Sequence, residues 1–245
     1  LVCRPAPPPA TFGRSPPRVA AEAARDGLPR GGRPRGGCAV SRARRRGGAL
    51  AGDAAPAALP VRQRQRLIDA TIAALHQYGP TGTTVARVVA IAQLSPGIVR
   101  FYFRSKAAML VAALQYLATE FEERVMVPVA ALRDRPALAL ERLVDLYLDP
   151  DIASPRKVAV WYAFWGEASA REEYLAICGQ KDANFAALVH ELVAGMIEAS
   201  GRRHLDADAV ALGLIGVLEM LWQAFAFEEE AHIDRAAARR RCLAY

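Results

Sequence analysis

The chain has 245 residues, of which 53% are hydrophobic, so it can bury the core of one or two domains. Its net charge of +7 is unevenly distributed: residues 1–60 carry 11 arginines against three acids, residues 61–106 seven basic residues against one acid, and residues 107–245 14 basic against 21 acidic residues. A basic segment on an acidic body is typical of a nucleic-acid-binding module joined to a larger domain, although segments this short can also differ in charge by chance.

Several function classes lack support in the residue pattern. The four cysteines and four histidines are scattered, and none stands at a spacing typical of a metal site or a disulfide framework. No paired carboxylates or Ser/His arrangement supports catalysis. We therefore expect no metal, no cofactor and no enzymatic activity, and reduced cysteines in a cytoplasmic protein.

Residues 1–60 are rich in Pro, Arg, Gly and Ala and contain few bulky apolar side chains. Such a composition cannot bury enough surface to fold, and it lacks the apolar run of a signal peptide. We predict a disordered tail. Two interpretations stay open: a native arginine-rich tail that adds non-specific DNA affinity by neutralising phosphates, or an inert or mistranslated upstream segment.

An amphipathic helix is predicted from about Arg62 to the stop signals Gly79 and Pro80. Its apolar face consists of Leu67, Ile68, Ile72 and Leu75. Arg62, Arg64 and Arg66 lie at its start, where a cation opposes the helix dipole, so we expect them to lie beside phosphate.

The segment from Thr84 to Lys106 predicts two short helices joined by a tight turn. Thr84 precedes an apolar face at helical spacing, where its hydroxyl can cap the first turn. Ser95 and Pro96 begin the next helix as N-cap and first helical residue. A helix, a turn and a second capped helix predict a helix-turn-helix, whose second helix enters the major groove of DNA.

A further helix is predicted from Ser105, its N-cap, to about Val127, with a break or kink at Pro128. Lys106 opens this helix beside its free N–H groups, which together form a suitable cradle for a phosphate.

The remainder of the chain is also helical in pattern. Residues 137–148, 172–200, 206–227 and 234–243 predict helices, residues 156–170 form an aromatic-rich segment, and Gly201 closes the longest helix. The sequence contains no alternating strand pattern and no internal repeat. The predicted fold class is all-α.

The segment 209–227 is 19 residues long with one charge, Glu219, and by length alone it could span a bilayer. Glu219 and Gln223 lie together on one helical face, which would be costly in lipid, and three acids follow directly. We therefore predict no membrane contact. A helix that is apolar on all sides is typical of a buried or subunit-interface helix.

The aromatic residues Trp161, Phe164, Trp165 and Trp222 allow two interpretations. As plain core they need no further explanation, and aromatic residues at helical spacing usually are core. As a ligand cage, several rings could hold a quaternary ammonium by cation–π attraction.

The region 64–127 resembles the TetR family of bacterial transcriptional repressors. The residues that carry the family pattern are Thr84, Val85, Ala86, Ala92, Leu94, Ser95, Gly97, Ile98, Phe103 and Lys106. Within the family the chain is most similar to the BetI group, regulators of choline and glycine betaine metabolism. That closer similarity rests on residues 66–71, 96–99, 102–106, 161–165 and 221–222.

The resemblance covers about residues 62–240 and implies a ligand-responsive repressor that binds a palindromic double-stranded operator as an Ω-shaped homodimer. It implies a DNA-binding domain at 61–106 and an effector and dimerisation domain at 107–245, with the dimer formed by helices at about 181–200 and 206–227. The implied DNA-binding residues are Thr84, Pro96, Gly97, Arg100, Tyr102 and Lys106. Tyr102 and Lys106 would hold phosphates, while the start of 96–101 would meet base edges.

The implied effector is choline or another quaternary ammonium, held by Trp161, Phe164, Trp165 and Trp222. Two alternatives stay open: a TetR-type regulator with an unrelated effector such as a drug, a lipid or an acyl-CoA, and an all-α scaffold that no longer binds DNA.

Two positions and one segment depart from the expected pattern. Gln93 stands where the family usually has Gly in the turn, so it must accept a left-handed backbone conformation at some cost. Arg100 replaces a common Tyr and could shift operator preference. The segment 217–220, directly before Leu221, departs from the Asp-Gly pair that the BetI group leads us to expect there.

Overall fold

The computed structural model describes residues 58–166 and 171–245. The predicted tail therefore lies outside the described residues, except for residues 58–60. Those three residues belong to the first helix and not to the tail. Pro60 is tolerated there because the first N–H groups of a helix have no intrahelical acceptor in any case.

Within the described residues the chain forms ten α-helices. They are α1 (Ala58–Gly82), α2 (Val85–Ala92), α3 (Pro96–Tyr102), α4 (Lys106–Phe121), α5 (Val127–Ala130), α6 (Pro136–Tyr147), α7 (Pro155–Trp165), α8 (Arg171–Ser200), α9 (Ala207–Phe227) and α10 (Arg235–Ala244). A π-helical turn, Glu122–Met126, joins α4 to α5, and a 3₁₀ turn, Glu230–His232, lies before α10. No strand occurs in these ranges, which confirms the all-α prediction.

The helix-turn-helix forms at the predicted residues. The Thr84 hydroxyl accepts a hydrogen bond from the Arg87 N–H (3.3 Å), as an N-cap should. α1 is broken at Gly79, whose φ of +66° only glycine adopts easily. Ser95 occupies the N-cap position of α3, but its hydroxyl makes no capping hydrogen bond there.

Gln93 adopts the left-handed conformation that the sequence required, with φ 51° and ψ 46°. Its N–H donates to the Ala90 carbonyl (3.2 Å), and the Leu94 N–H donates to the Val89 carbonyl (3.0 Å). These two bonds close the end of α2 as a Schellman motif, a termination that normally uses glycine.

Pro128, where we predicted a break or a kink, does not break the helix. The chain passes from α4 through the π turn into α5, and the Val127 N–H donates to the Glu122 carbonyl five residues earlier. The wider π turn accommodates the proline so that helical structure continues to Ala130.

Two hydrophobic cores organise the described helices. The first contains buried side chains of α1–α4 together with Val160 and Phe164 of α7 and Tyr174 and Cys178 of α8. The second contains side chains of α5, α6, α8, α9 and α10. The predicted boundary at residue 106 therefore does not separate the cores, because α4 and part of α7 pack with the helix-turn-helix.

α9 is long and apolar enough to cross a membrane by length and composition. In the structure its face of Leu214, Leu218, Leu221 and Phe225 is buried in the second core. Its opposite face leaves Leu212 and Met220 largely exposed. The helix is therefore packed on one side and open on the other.

Candidate DNA-binding and effector sites

The six residues implied to bind DNA lie on consecutive segments that meet at the helix-turn-helix, and none is buried. They are Thr84 at the N-cap of α2, Pro96, Gly97, Arg100 and Tyr102 on α3, and Lys106 at the start of α4. Around Gly97 the surface is open, since a side-chain carbon there would meet no atom within 4 Å. The start of α3 can therefore approach a flat partner closely.

Tyr102 and Lys106 are held in place by α1. The Tyr102 hydroxyl donates to the Gln63 side-chain oxygen (3.1 Å), and the Lys106 ammonium donates to the Pro80 carbonyl (2.8 Å). Each bond leaves hydrogen-bonding capacity, because the ammonium has three N–H groups and the phenol oxygen can also accept. The two side chains are thus positioned before any phosphate arrives.

The arginines at the start of α1 do not share one role. Arg66 donates to the carbonyl of Ala92 (2.6 Å), so it stabilises the end of α2. Arg64 lies over the ring of Phe103, 5.7 Å from its centroid. The contact of these arginines with phosphate stays a prediction.

Phe101 is a surface feature that the sequence analysis did not single out. It is 78% exposed at the end of α3, with its ring edge-on to Tyr102. Phe101 lies two residues after the buried Val99 and therefore on a different face of α3. This spacing could have indicated an exposed aromatic side chain beside the predicted DNA contacts. Apolar side chains at such positions can contact the thymine methyl group in the major groove.

A small cavity of about 60 Å³ lies where the two hydrophobic cores meet. Its walls come from α4, the π turn, α6, α7, α8 and α9. The aromatic residues in these walls are Phe121, Tyr147, Trp161, Tyr162, Trp165, Tyr174, Phe185 and Trp222.

Three of the four implied ligand-binding residues line this cavity: Trp161, Trp165 and Trp222. Phe164 does not, and it is buried in the first core. The helical period explains the difference, because Trp161 and Trp165 are four residues apart on one face of α7, whereas Phe164 follows Val160 on another.

The aromatic walls are tightly organised around Trp222. Its ring lies 4.4 Å from that of Tyr147, and its indole N–H donates to the Tyr147 carbonyl (3.0 Å). Phe121 presents its edge to both rings, at 5.8 Å from Tyr147 and 6.1 Å from Trp222. This arrangement is a rigid aromatic wall of the kind that can face a cation.

Glu219 brings a carboxyl group into this aromatic cavity. The Tyr147 hydroxyl donates to Glu219 Oε1 (3.1 Å), and the Tyr162 hydroxyl donates to the Glu219 backbone carbonyl (3.2 Å). The second oxygen, Oε2, is buried and has no hydrogen-bond partner among the described residues. Burial raises the pKa of Glu219 to about 7 despite the hydrogen bond from Tyr147, and the charge of Asp182 raises it further in the same direction.

Further charged groups stand around the cavity. Lys181 pairs with Glu122 (3.2 Å), so its charge is compensated locally. Asp182, which is partly open to solvent, accepts a hydrogen bond from the Tyr174 hydroxyl (2.9 Å). The cavity therefore combines aromatic walls with more acidic than basic side chains.

Comparison with known proteins decides the family. Residues 67–113 match the model of the bacterial regulatory proteins of the tetR family, and residues 136–245 match that of the BetI-type transcriptional repressor C-terminal domain. The chain belongs to the TetR family of transcriptional regulators. It is thus a DNA-binding regulator of a non-enzymatic family, with a BetI-type C-terminal domain.

Individual relatives agree with this membership. The TetR-family chain is 30% identical over 164 residues to the HTH-type transcriptional regulator BetI of Serratia proteamaculans (strain 568), covering 66% of this chain and 80% of that relative. It is 29% identical over 177 residues to BetI of Paraburkholderia xenovorans (strain LB400), covering 72% and 88%. A TetR transcription regulator from Haloarcula marismortui shares the fold at 20% identity, with a TM-score of 0.60 over 76% of this chain and 96% of that one.

The most informative cavity residue was treated in the sequence as a departure from the BetI group. Glu219 is the one charged residue in the apolar stretch 209–227, and that isolated acid was the available signal. The contribution of Tyr147 had no local signal, because it lies 72 residues away from Glu219 in the chain.

Proposed function

We propose that this TetR-family regulator is a dimeric repressor that leaves a palindromic operator when choline, or another small quaternary ammonium cation, enters the aromatic cavity. The observation that carries the proposal is the cavity itself: aromatic rings and a buried carboxyl group between the core of the DNA-binding helices and the second core. The BetI-type C-terminal domain further supports control of choline and glycine betaine metabolism.

The chemistry of the cavity favours a cation over an anion or a long apolar chain. Aromatic faces attract quaternary ammonium groups, and the attraction increases when the cation is shielded from water. Glu219 adds a carboxyl group with an unpaired oxygen.

α4 supports a direct link between the two sites. It begins with Lys106 at the DNA-binding surface and ends with Phe121 in the cavity wall. The π turn that follows contributes Glu122 and Met126 to the same wall. We infer that filling the cavity displaces α4 and changes the spacing of the two reading helices, and a dimer that must meet two half-sites at once then loses affinity.

The open face of α9 supports a homodimer through the predicted helices at about 181–200 and 206–227. Leu212, Gly216 and Met220 are exposed at spacings of four residues on one face. Such an apolar stripe suits packing against its own copy across a two-fold axis. The same face accounts for the high apolarity of α9 without a membrane, and a repressor of this kind acts in the cytoplasm.

On the DNA we infer two kinds of contact. Tyr102 and Lys106 hold phosphates and position the protein, while Thr84, Pro96, Gly97 and Arg100 approach the groove. The exposed positions of α3 and the fixed orientation of Tyr102 and Lys106 support this division.

A thermal-unfolding screen tests the effector class, since a ligand that binds the folded state stabilises it by mass action. We expect choline and betaine aldehyde to raise Tm and long-chain acyl compounds to leave it unchanged. Trp161→Leu should abolish the response to choline, whereas Phe164→Leu, on the same helix but outside the cavity, should lower Tm and keep the response. Stabilisation by the acyl compounds alone would contradict the proposed effector.

A salt titration tests the regulatory role itself. We expect affinity for the DNA upstream of the gene to exceed that for an unrelated duplex and to fall steeply with salt, because counterions are released from the phosphates. Equal and weak binding to both duplexes would favour the scaffold hypothesis.

A further inference from the structure

We propose that Glu219 is the counter-ion that selects a cationic effector, and that its carboxyl group releases a proton to the solvent as the cation enters the cavity. The step is an exchange: the O–H bond of the neutral carboxyl group breaks, water or buffer takes the proton, and the carboxylate remains beside the bound cation. This inference rests on the proposed function, because it concerns the same cavity, and it adds a selection rule and a pH dependence.

The geometry around Glu219 supports a neutral carboxyl group in the empty cavity. One oxygen accepts from the Tyr147 hydroxyl, and the other is buried with no partner in the described part of the chain. An ionised carboxylate buried among aromatic rings without a compensating charge is strongly disfavoured, so such a group keeps its proton. The pKa of about 7 given by burial agrees with this geometry.

No surrounding group of the described wall compensates a Glu219 carboxylate. From α6, Tyr147 offers a neutral hydroxyl, and from α7, Tyr162 binds the backbone carbonyl of Glu219 and not its carboxyl group. Burial raises the pKa of both phenols, so neither ionises near neutral pH.

α8 and the π turn add no free positive charge. Asp182 is acidic and accepts from Tyr174, another phenol whose pKa burial raises. Cys178 is a neutral thiol whose pKa burial raises to about 12. Lys181, the cation in the described lining, is paired with Glu122 of the π turn.

A permanent cation supplies the missing charge. With the cation bound, the carboxylate is stabilised and the aromatic rings shield the pair from water, so ionisation and binding favour each other. Below the pKa of Glu219, each fall of one pH unit should then weaken cation binding by up to about tenfold, because one proton must leave for each cation bound. A neutral ligand of the same shape gains nothing from ionisation, and its affinity should not rise with pH.

Isothermal titration calorimetry on the full chain provides the test, with choline chloride and its uncharged isostere 3,3-dimethylbutan-1-ol as ligands. Measuring the heat in two buffers with different ionisation enthalpies gives the number of protons released. For choline we expect close to one proton at about pH 6 and none at about pH 8.5. For the isostere we expect no proton release at either pH, and at about pH 8.5 an affinity roughly ten- to a hundredfold weaker than that of choline.

Glu219→Gln keeps the shape of the side chain and removes its ionisation. In this variant choline binding should release no proton, and the preference for choline over the isostere should fall at least several-fold. Asp208→Asn, an exposed change on the same helix outside the cavity, should leave proton release and preference unchanged.

The outcomes separate this inference from the proposed function. Choline binding to the wild type without proton release near pH 6, or an unchanged preference for choline in Glu219→Gln, overturns the role of Glu219 and leaves the proposed effector intact. Absence of choline binding to a wild-type protein that still binds its DNA overturns the proposed effector, and this inference with it. The number of protons that choline releases from the wild type tests the role of Glu219 even if the Glu219→Gln variant fails to fold.

Discussion

Glu219 is part-buried, with one carboxylate oxygen fully buried and unpaired among the described residues, and this environment makes the stability of the protein depend on pH. Its pKa is raised from 4.5 to about 7 by folding, so the folded state holds a proton that the unfolded state has lost between these values. The protonated carboxyl group of Glu219 therefore contributes most to the stability of the folded state below pH 4.5, and this contribution is lost as pH rises through about 7.

We therefore predict that Glu219→Gln flattens the pH dependence of unfolding. Between about pH 4.5 and 8 the wild type should lose on the order of 3 kcal/mol relative to the variant, since one pKa unit corresponds to about 1.4 kcal/mol. Urea denaturation of the ligand-free protein across this range measures the difference. Parallel curves for the two proteins would show that folding does not raise the pKa of Glu219.

Lys106 provides a second prediction at the same scale. Lys106→Met keeps most of the apolar stem and removes the ammonium, so it should weaken binding to all duplexes similarly. The slope of log affinity against log salt should fall by about one if Lys106 neutralises one phosphate. Fluorescence anisotropy measures this slope. Arg203→Met, an exposed change between α8 and α9, removes the same charge and is the control, so it should leave the slope unchanged. If Lys106→Met also left the slope unchanged, Lys106 would not contact a phosphate.

Among the helices, α2 shows most clearly how a local sequence pattern determines structure. Thr84 and the turn at Gln93 were predictable because caps and turns depend on a few neighbouring residues. The continuation of helical structure past Pro128 was not predictable, because it depends on the preceding π turn, which has no comparable sequence signal.

Gln93 leads to a prediction about the stability of the helix-turn-helix. It is exposed and left-handed, a conformation that costs an L-residue roughly 1–2 kcal/mol and glycine little. Gln93→Gly should therefore raise the free energy of unfolding by up to about 1 kcal/mol, the gain being reduced by the greater freedom of glycine in the unfolded chain. Gln93→Val should lower it, since a branched side chain tolerates this conformation poorly. If both variants unfolded at the same urea concentration, the turn would not be strained.

The position of the cavity could not be predicted from the sequence, because it depends on contacts between distant segments. Its aromatic walls come from segments far apart in the chain, and whether a ring faces a core or a cavity depends on how helices pack. Trp161 and Trp222 match a family pattern and line the cavity. Phe164 matches it too and lies in the first core, because the pattern does not show which face of α7 turns inward.

For the whole molecule, the open face of α9 predicts the assembly. Leu212→Glu places a charge within the proposed interface and should convert the dimer to a monomer with lower operator affinity. Leu138→Glu, an equally apolar and exposed position on α6, should leave the dimer intact. Sedimentation equilibrium distinguishes the two states. A dimer that persists in Leu212→Glu would place the interface elsewhere.

In the proposed mechanism, a cation in the aromatic cavity releases the DNA. The most direct measurement is the fluorescence anisotropy of the labelled upstream duplex bound to the full chain during titration with choline chloride, compared with titration by sodium chloride at equal ionic strength. We predict that choline releases the duplex at concentrations where sodium has no effect, and that Trp161→Leu responds to both salts alike. Identical release curves for choline and sodium in the wild type would show that the DNA is not released by the cation in the cavity.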